Sequence, residues 1–174
     1  MLASCWHVSD YESAPLWTIY RGSSRSVAIR STVHRLMTAL GDPPPAEPGF
    51  HRAQTFERGM AGCIDYRTDR IPANNYRLPF YRKRKSFQHE KELRVTLLER
   101  PVRDDGFFDQ QRQPLTPGRL IPVGIHTLVQ SAFVSPGASG SHREEIQRLI
   151  ASHGLNLVVR QSDLDVDPLY QGFA

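Results

Sequence analysis

Leu93-Arg94-Val95-Thr96-Leu97-Leu98 decides the fold. Its alternation puts Leu93, Val95 and Leu97 on one face and predicts a half-buried β-strand. Directly upstream stands Lys83-Arg84-Lys85-Ser86-Phe87-Gln88-His89-Glu90-Lys91-Glu92. With Arg82 in front, four consecutive cations are followed by a histidine and by two carboxylates two positions apart. If that run is extended, Glu90, Glu92 and Arg94 share the face opposite the leucines. Such a face is a poor core. One reading makes it a solvated, salt-bridged strand, with Glu92 paired to Arg94 or Lys85 and contributing little stability. The other makes it a site, where carboxylates beside cations act as a base, a metal ligand or a stabiliser of positive charge.

Working outward, the same segment accounts for the charge. The chain carries 22 Lys and Arg against 18 Asp and Glu, a net +4. Between Tyr76 and Arg94 lie seven basic residues and two acidic ones, or +5, which leaves −1 for the rest. Tyr76, Phe80, Tyr81 and Phe87 interleave with Arg77, Arg82, Lys83, Arg84 and Lys85, a pattern suited to phosphates and stacked bases. The bland alternative turns those aromatics inward as anchors.

The 174 residues fit one domain, and 39% apolar content supports a core. Apolar runs are too short for a membrane span. The first residues lack the basic and apolar regions of a signal peptide. Cys5 and Cys63 stand far apart, outside any Cys-x-x-Cys pair, so no metal centre is expected and a reducing cytoplasm is. Asp163-Leu164-Asp165-Val166-Asp167-Pro168 has the start of a calcium loop but lacks its glycine and distal glutamate, and reads as a solvated tail.

The remaining elements predict an α+β fold: a mixed sheet with two to four helices in a single domain. Ser9 to Glu12 has capping-box spacing and would open a helix in which Pro15 sits awkwardly; alternatively Pro15 starts the helix, with Ser13 as the cap. Strands are expected at Ser26–Arg30, Gly59–Tyr66, Leu120–Val123, Ala132–Val134 and Leu155–Val159. Ser31 or Thr32 opens a helix with Val33, Leu36, Met37 and Leu40 on one stripe. Gly124–Val129 forms a helical turn. Ser141–His153 is a helix with Ile146, Leu149 and Ile150 inward and Gly154 as its stop. Asp42–Gly49, Thr68–Pro79 and Arg100–Gly118 are loops.

Two further clusters could carry chemistry. Trp6 and His7, with Trp17 and Tyr20, could form an aromatic platform beside a titratable group, or could simply pack. Arg30-Ser31-Thr32 opens a helix and could hold an anion, or could be ordinary capping.

Taken together, Cys5-Trp6-His7, Glu12-Ser13, Trp17, Tyr20, Val27 to Thr32, Ile64-Asp65-Tyr66, Lys83-Arg84, Phe87 and Glu90-x-Glu92-x-Arg94 form an ordered pattern over nearly the whole chain. The late Val134-Ser135-Pro136, Ser162-Asp163-Leu164 and Pro168-Leu169-Tyr170 extend it. It resembles the bacterial and phage family called domain of unknown function twenty-nine seventy-one. Members usually carry a further N-terminal half, so the resemblance implies a short form or a fragment. Pro15 departs from the pattern, which prefers a small helix former there. The resemblance implies no settled activity. The gene settings of the family associate it with mobile elements and defence.

Two functions stand side by side. One is a nucleotide- or NAD-directed enzyme of defence or toxin type, loosely similar in order to ADP-ribosyltransferases. There Glu92 is the acid, Ser31 orients it, and His7 or Arg30 meets ribose or phosphate. Trp6, Tyr20, Thr32, Lys83, Arg84, Glu90 and Arg94 complete its binding set. The other is a non-catalytic nucleic-acid binder using segment 76–94. A metal-dependent nuclease built on Glu90 and Glu92 ranks last, because no nuclease motif accompanies them.

Overall fold

A computed structural model describes residues 1–22, 25–52, 55–109, 111 and 118–169. In chain order these form β1 (Leu2–His7), α1 (Ala14–Tyr20), β2 (Val27–Arg30), α2 (Val33–Leu40), β3 (Phe50–Arg52), β4 (Glu57–Met60) and β5 (Gly62–Ile64). A 3-10 turn (Leu78–Tyr81), β6 (Arg82–Arg84), a second 3-10 turn (Lys85–Glu90), β7 (Glu92–Leu97) and β8 (Glu99–Pro101) follow. Then come α3 (Ile125–Leu128), β9 (Ser131–Val134), α4 (Gly140–Ser152), β10 (Val158–Arg160) and a last 3-10 turn (Asp163–Asp165). The fold is α+β and includes a mixed sheet, as the sequence predicts. No helix of the described residues is long and apolar enough to cross a membrane.

The chain divides into two compact units. The first is Met1–Ser9 with Leu40–Pro122, and the second is Asp10–Ala39 with Val123–Ala174. In the first unit β7 is the central strand of an antiparallel sheet, flanked by β1 and β4. Leu93, Val95 and Leu97 are buried on one face, and Thr96 is buried on the other. The opposite, polar face is organised by the 3-10 turns and β6. The Tyr81 hydroxyl lies 2.6 Å from the Thr96 hydroxyl. A Cβ at Gly59 would come within 3.0 Å of the Tyr81 ring, so glycine lets the ring lie on the sheet.

In the second unit β9 runs between β10, parallel to it, and β2, antiparallel to it. The crossover from β9 to β10 is α4. Ala132, Val134 and Val159 form its core with Ala138, Ile146 and Ile150. Of the predicted helix stripe, Leu149 is instead half exposed. Ser139 caps α4 by accepting from the His142 N–H, and Gly154 takes the expected left-handed backbone at φ 69°.

Several expectations are corrected. The first helix is capped by Ser13 with Pro15 in its first turn, so the Ser9–Glu12 box does not open it. The strand expected over Gly59–Tyr66 breaks at Ala61, because β4 pairs with β7 whereas β5 pairs with β6. Leu120–Val123 forms no strand; Pro122 cannot donate to a ladder, and the Leu120 side chain is exposed. The last strand begins only at Val158. The supposed solvated tail is anchored: the Asp165 carboxylate accepts from the Gly137 N–H at 2.9 Å and from the Gln161 amide at 2.6 Å. Tyr170, Gln171 and Gly172, and residues 110 and 112–117 of the loop expected over Arg100–Gly118, lie outside the described residues, and Arg100 and Pro101 of that loop belong to β8.

Candidate functional site

The polar face of β7 is where the candidate residues converge. The register sets Glu92 opposite His7 and Arg94 opposite Cys5 on β1. Side chains alternate, so these four share one face. Glu90 does not join them by alternation, contrary to the extended run expected over Glu90–Arg94. It ends the second 3-10 turn, and Lys91 then takes a left-handed backbone at φ 38°, the one positive φ outside glycine among the described residues. That conformation costs about 1 kcal/mol or more in a lysine. It turns the chain so that Glu90 and Glu92 approach one cation from two directions.

That cation is Lys83. Its Nζ donates to Glu90 Oε2 at 2.5 Å and to Glu92 Oε2 at 2.9 Å. Arg94 clasps Glu92 with two nitrogens, Nε to Oε1 at 2.8 Å and Nη2 to Oε2 at 3.1 Å. A third nitrogen, Arg94 Nη1, donates to the Phe80 carbonyl. The two glutamate side chains are 9% and 7% exposed, and those of Lys83 and Arg94 are 19% and 17%. Neither a surface pair nor a bridge to Lys85 describes this arrangement. It is a largely buried and electrically neutral network of two cations and two anions. The Arg94 fork, followed by hydrogen bonds from Cys5 and Lys83, outweighs desolvation and holds the Glu92 carboxyl at about 2, against an ordinary 4.5.

Cys5 is pushed the other way, up to about 11 from 9.0. Desolvation is the first cause, then its hydrogen bond to Glu92 and the charge of that carboxylate. At pH 8 this leaves roughly one hundredth of the thiolate an ordinary cysteine would hold. Alkylation of Cys5 by iodoacetamide should therefore run about tenfold slower than that of a free thiol, the loss of thiolate being partly offset by the greater nucleophilicity of a more basic sulfur. Glu92→Gln should speed it, since one of the causes is removed. Peptide mapping after timed labelling reads both rates, and ordinary labelling of Cys5 in the wild type would refute the assignment.

His7 Nδ1 lies 2.6 Å from the Glu90 carbonyl oxygen. A carbonyl only accepts, so Nδ1 carries a proton. Trp6 donates from Nε1 to the neighbouring Ser4 hydroxyl. Trp17 and Tyr20, expected beside them, belong to the second unit. Trp17 donates to Glu12 in the second unit, and Tyr20 is exposed there.

The helix-opening cluster also lies in the second unit. Thr32 accepts from the Arg35 N–H at 3.2 Å and caps α2, the ordinary role of that residue. Ser31 donates to the Leu128 carbonyl at 2.5 Å, and Arg30 is exposed. The structure thus gathers Glu92, Glu90, Arg94, Lys83 and His7 in the first unit and places Ser31, Arg30, Thr32 and Tyr20 in the second.

Beside the network is a cavity of about 280 Å³ lined by Lys83, Lys85, Lys91, Phe87, Cys63 and Glu92, with Ala61 and Gln88 completing it. Sequence reasoning did not single out Lys91, Gln88 or Cys63. Lys85 and Lys91 stood in the charged run, but nothing in their spacing shows that a 3-10 turn brings both to one rim. The aromatics of the basic segment are largely committed. The Arg100 guanidinium lies 3.8 Å from the Tyr76 ring centre, that of Arg84 lies 4.4 Å from Tyr66, and Lys83 lies 5.0 Å from Phe87. Among the cations, Arg77 pairs with Glu57 at 2.5 Å, and Lys83 and Arg94 belong to the network.

No protein family, curated protein or solved structure matches the chain.

Proposed function

We propose that the first unit binds a nucleotide in the lysine-lined cavity. The observation that carries this reading is the convergence of Lys83, Lys85 and Lys91 with Phe87 and Gln88 around one concavity. Ammonium groups suit phosphate, an amide suits a hydroxyl or base edge, and a half-exposed ring offers apolar surface. A volume of about 280 Å³ stands at the low end of ligand pockets and suits one mononucleotide. A dinucleotide such as NAD would leave one half outside.

The catalytic extension, in which Glu92 acts on the ribose of NAD, draws support from the permanent ionisation of that carboxylate. Its oxygens are nevertheless occupied by Arg94 and Lys83, so it stabilises a developing positive charge only after one of them lets go. Binding is therefore the better supported function. The nucleic-acid reading draws on the exposed Arg84, Lys85 and Lys91 but loses Arg77, Lys83 and Arg94 to carboxylates.

Calorimetric titration with mononucleotides, NAD and a single-stranded oligonucleotide tests these readings, together with an assay for nicotinamide release. A saturable one-to-one isotherm with a mononucleotide is expected. It should be abolished in the Lys85→Gln/Lys91→Asn double variant. No heat from any nucleotide would refute nucleotide binding, and oligonucleotide binding alone would favour the basic segment as a nucleic-acid surface.

A further inference from the structure

Charge counting around the cavity carries the reading one step further. Lys83, Arg94, Glu90 and Glu92 neutralise one another inside the network. Lys85 and Lys91 are exposed, line the cavity, and form no salt bridge with a carboxylate among the described residues. The cavity therefore presents two uncompensated positive charges. They sit at either end of one turn, Lys85 as its first residue and Lys91 as its cap. The backbone at Lys91 is held left-handed, so its side chain leaves the turn in a direction fixed by the same feature that aims Glu90 and Glu92 at Lys83.

Two lysines matched against one ligand group favour a group that carries two charges. A phosphomonoester carries about −1.5 to −2 near neutral pH, with three terminal oxygens, whereas a phosphodiester carries one charge and offers two terminal oxygens. Lysine ammonium groups act as point charges with rotatable donors, so they follow charge more than the planar geometry of the group.

We infer that this cavity selects the terminal phosphomonoester of a mononucleotide over the phosphodiester of a cyclic nucleotide or a continuous strand. The inference rests on the nucleotide reading above and adds the chemical class of the ligand. The shared chemistry also exists in sugar phosphates, so the test includes one.

The experiment is calorimetric titration of the full chain with adenosine and uridine monophosphate, their cyclic diesters, NAD and ribose phosphate. A monophosphate should bind at least about tenfold more tightly than its cyclic diester, the effect of one charge at a partly exposed site. Lys85→Gln and Lys91→Asn should each weaken the monophosphate about tenfold and the cyclic diester less. Asparagine tolerates the left-handed backbone, so Lys91→Asn removes the charge and keeps the turn; far-ultraviolet circular dichroism confirms that both variants are folded. Equal affinity for monophosphate and cyclic diester overturns the selectivity while leaving nucleotide binding in place. Ribose phosphate binding as tightly as the nucleotides overturns the nucleotide reading and leaves phosphomonoester selection. Absence of binding by every probe overturns both.

Discussion

Glu92→Gln is expected to lower the stability of the chain by about 3–5 kcal/mol at neutral pH, the cost of breaking a buried ion pair from one side. The amide keeps the size of the side chain and much of its hydrogen-bonding reach, so packing is not the issue. What changes is charge. Arg94, with a side chain only 17% exposed, loses the carboxylate clasped by its Nε and Nη2. Lys83 keeps Glu90 and is less affected. An exposed pair would cost no more than about 1 kcal/mol, so urea unfolding distinguishes the two cases directly. A loss under about 1 kcal/mol would contradict the buried network described here.

The same variant fixes the pH dependence. The Glu92 carboxyl titrates at about 2 when folded and at 4.5 ordinarily. A depressed carboxyl stabilises the folded state above its unfolded value and ceases to do so as pH falls through the folded value. The contribution is about 3 kcal/mol, fully present above pH 5 and lost toward pH 2. The gap between wild type and Glu92→Gln should therefore close on acidification. A gap that stays constant from pH 5 to 2 would show that the charge of Glu92 is not what stabilises the fold.

The central strand and the polar residues on it were legible because strand alternation is local. Leu93, Val95 and Leu97 announce one face, and Glu92 and Arg94 then must occupy the other. The role of Glu90 was not legible. The pattern Glu-x-Glu suggests a continued strand, and only the left-handed Lys91 reverses that, a conformation no propensity assigns to lysine. Lys83 was visible as one cation among four. Its selection over Lys85 depends on β6 lying beside β5, a pairing between segments some twenty residues apart. β1 was missed because Leu2-Ala3-Ser4-Cys5-Trp6-His7 alternates weakly in hydrophobicity, and its pairing with β7 supplies what the local sequence lacks. The tail is exposed as read, but its anchoring was not legible for a related reason: Glu12 and Gly137, the partners of Asp163 and Asp165, are remote in sequence.

Lys83→Met should destabilise the chain by a similar amount, about 3–5 kcal/mol at pH 7, with its deficit closing in a different pH window. Methionine preserves the length and apolar stem of lysine and removes the ammonium. Glu90 and Glu92 then keep carboxylate oxygens that had stood 2.5 and 2.9 Å from one nitrogen, with no cation between them. Glu92 retains Arg94, so the folded variant relieves the repulsion by taking up a proton on the pair. The folded state then binds protons more tightly than the unfolded chain, and stability rises relative to wild type as pH falls from 7 toward about 5. The Glu92→Gln deficit, by contrast, shrinks only below about pH 5, where the wild type itself weakens. Adding Glu90→Gln to Lys83→Met removes the second anion together with the cation it had bonded. The double variant should recover about 2–3 kcal/mol of the loss, since removing both partners of a buried pair leaves no uncompensated charge. Strictly additive losses in the double variant would mean that Lys83 and Glu90 do not interact, and the network would then reduce to the Glu92–Arg94 pair.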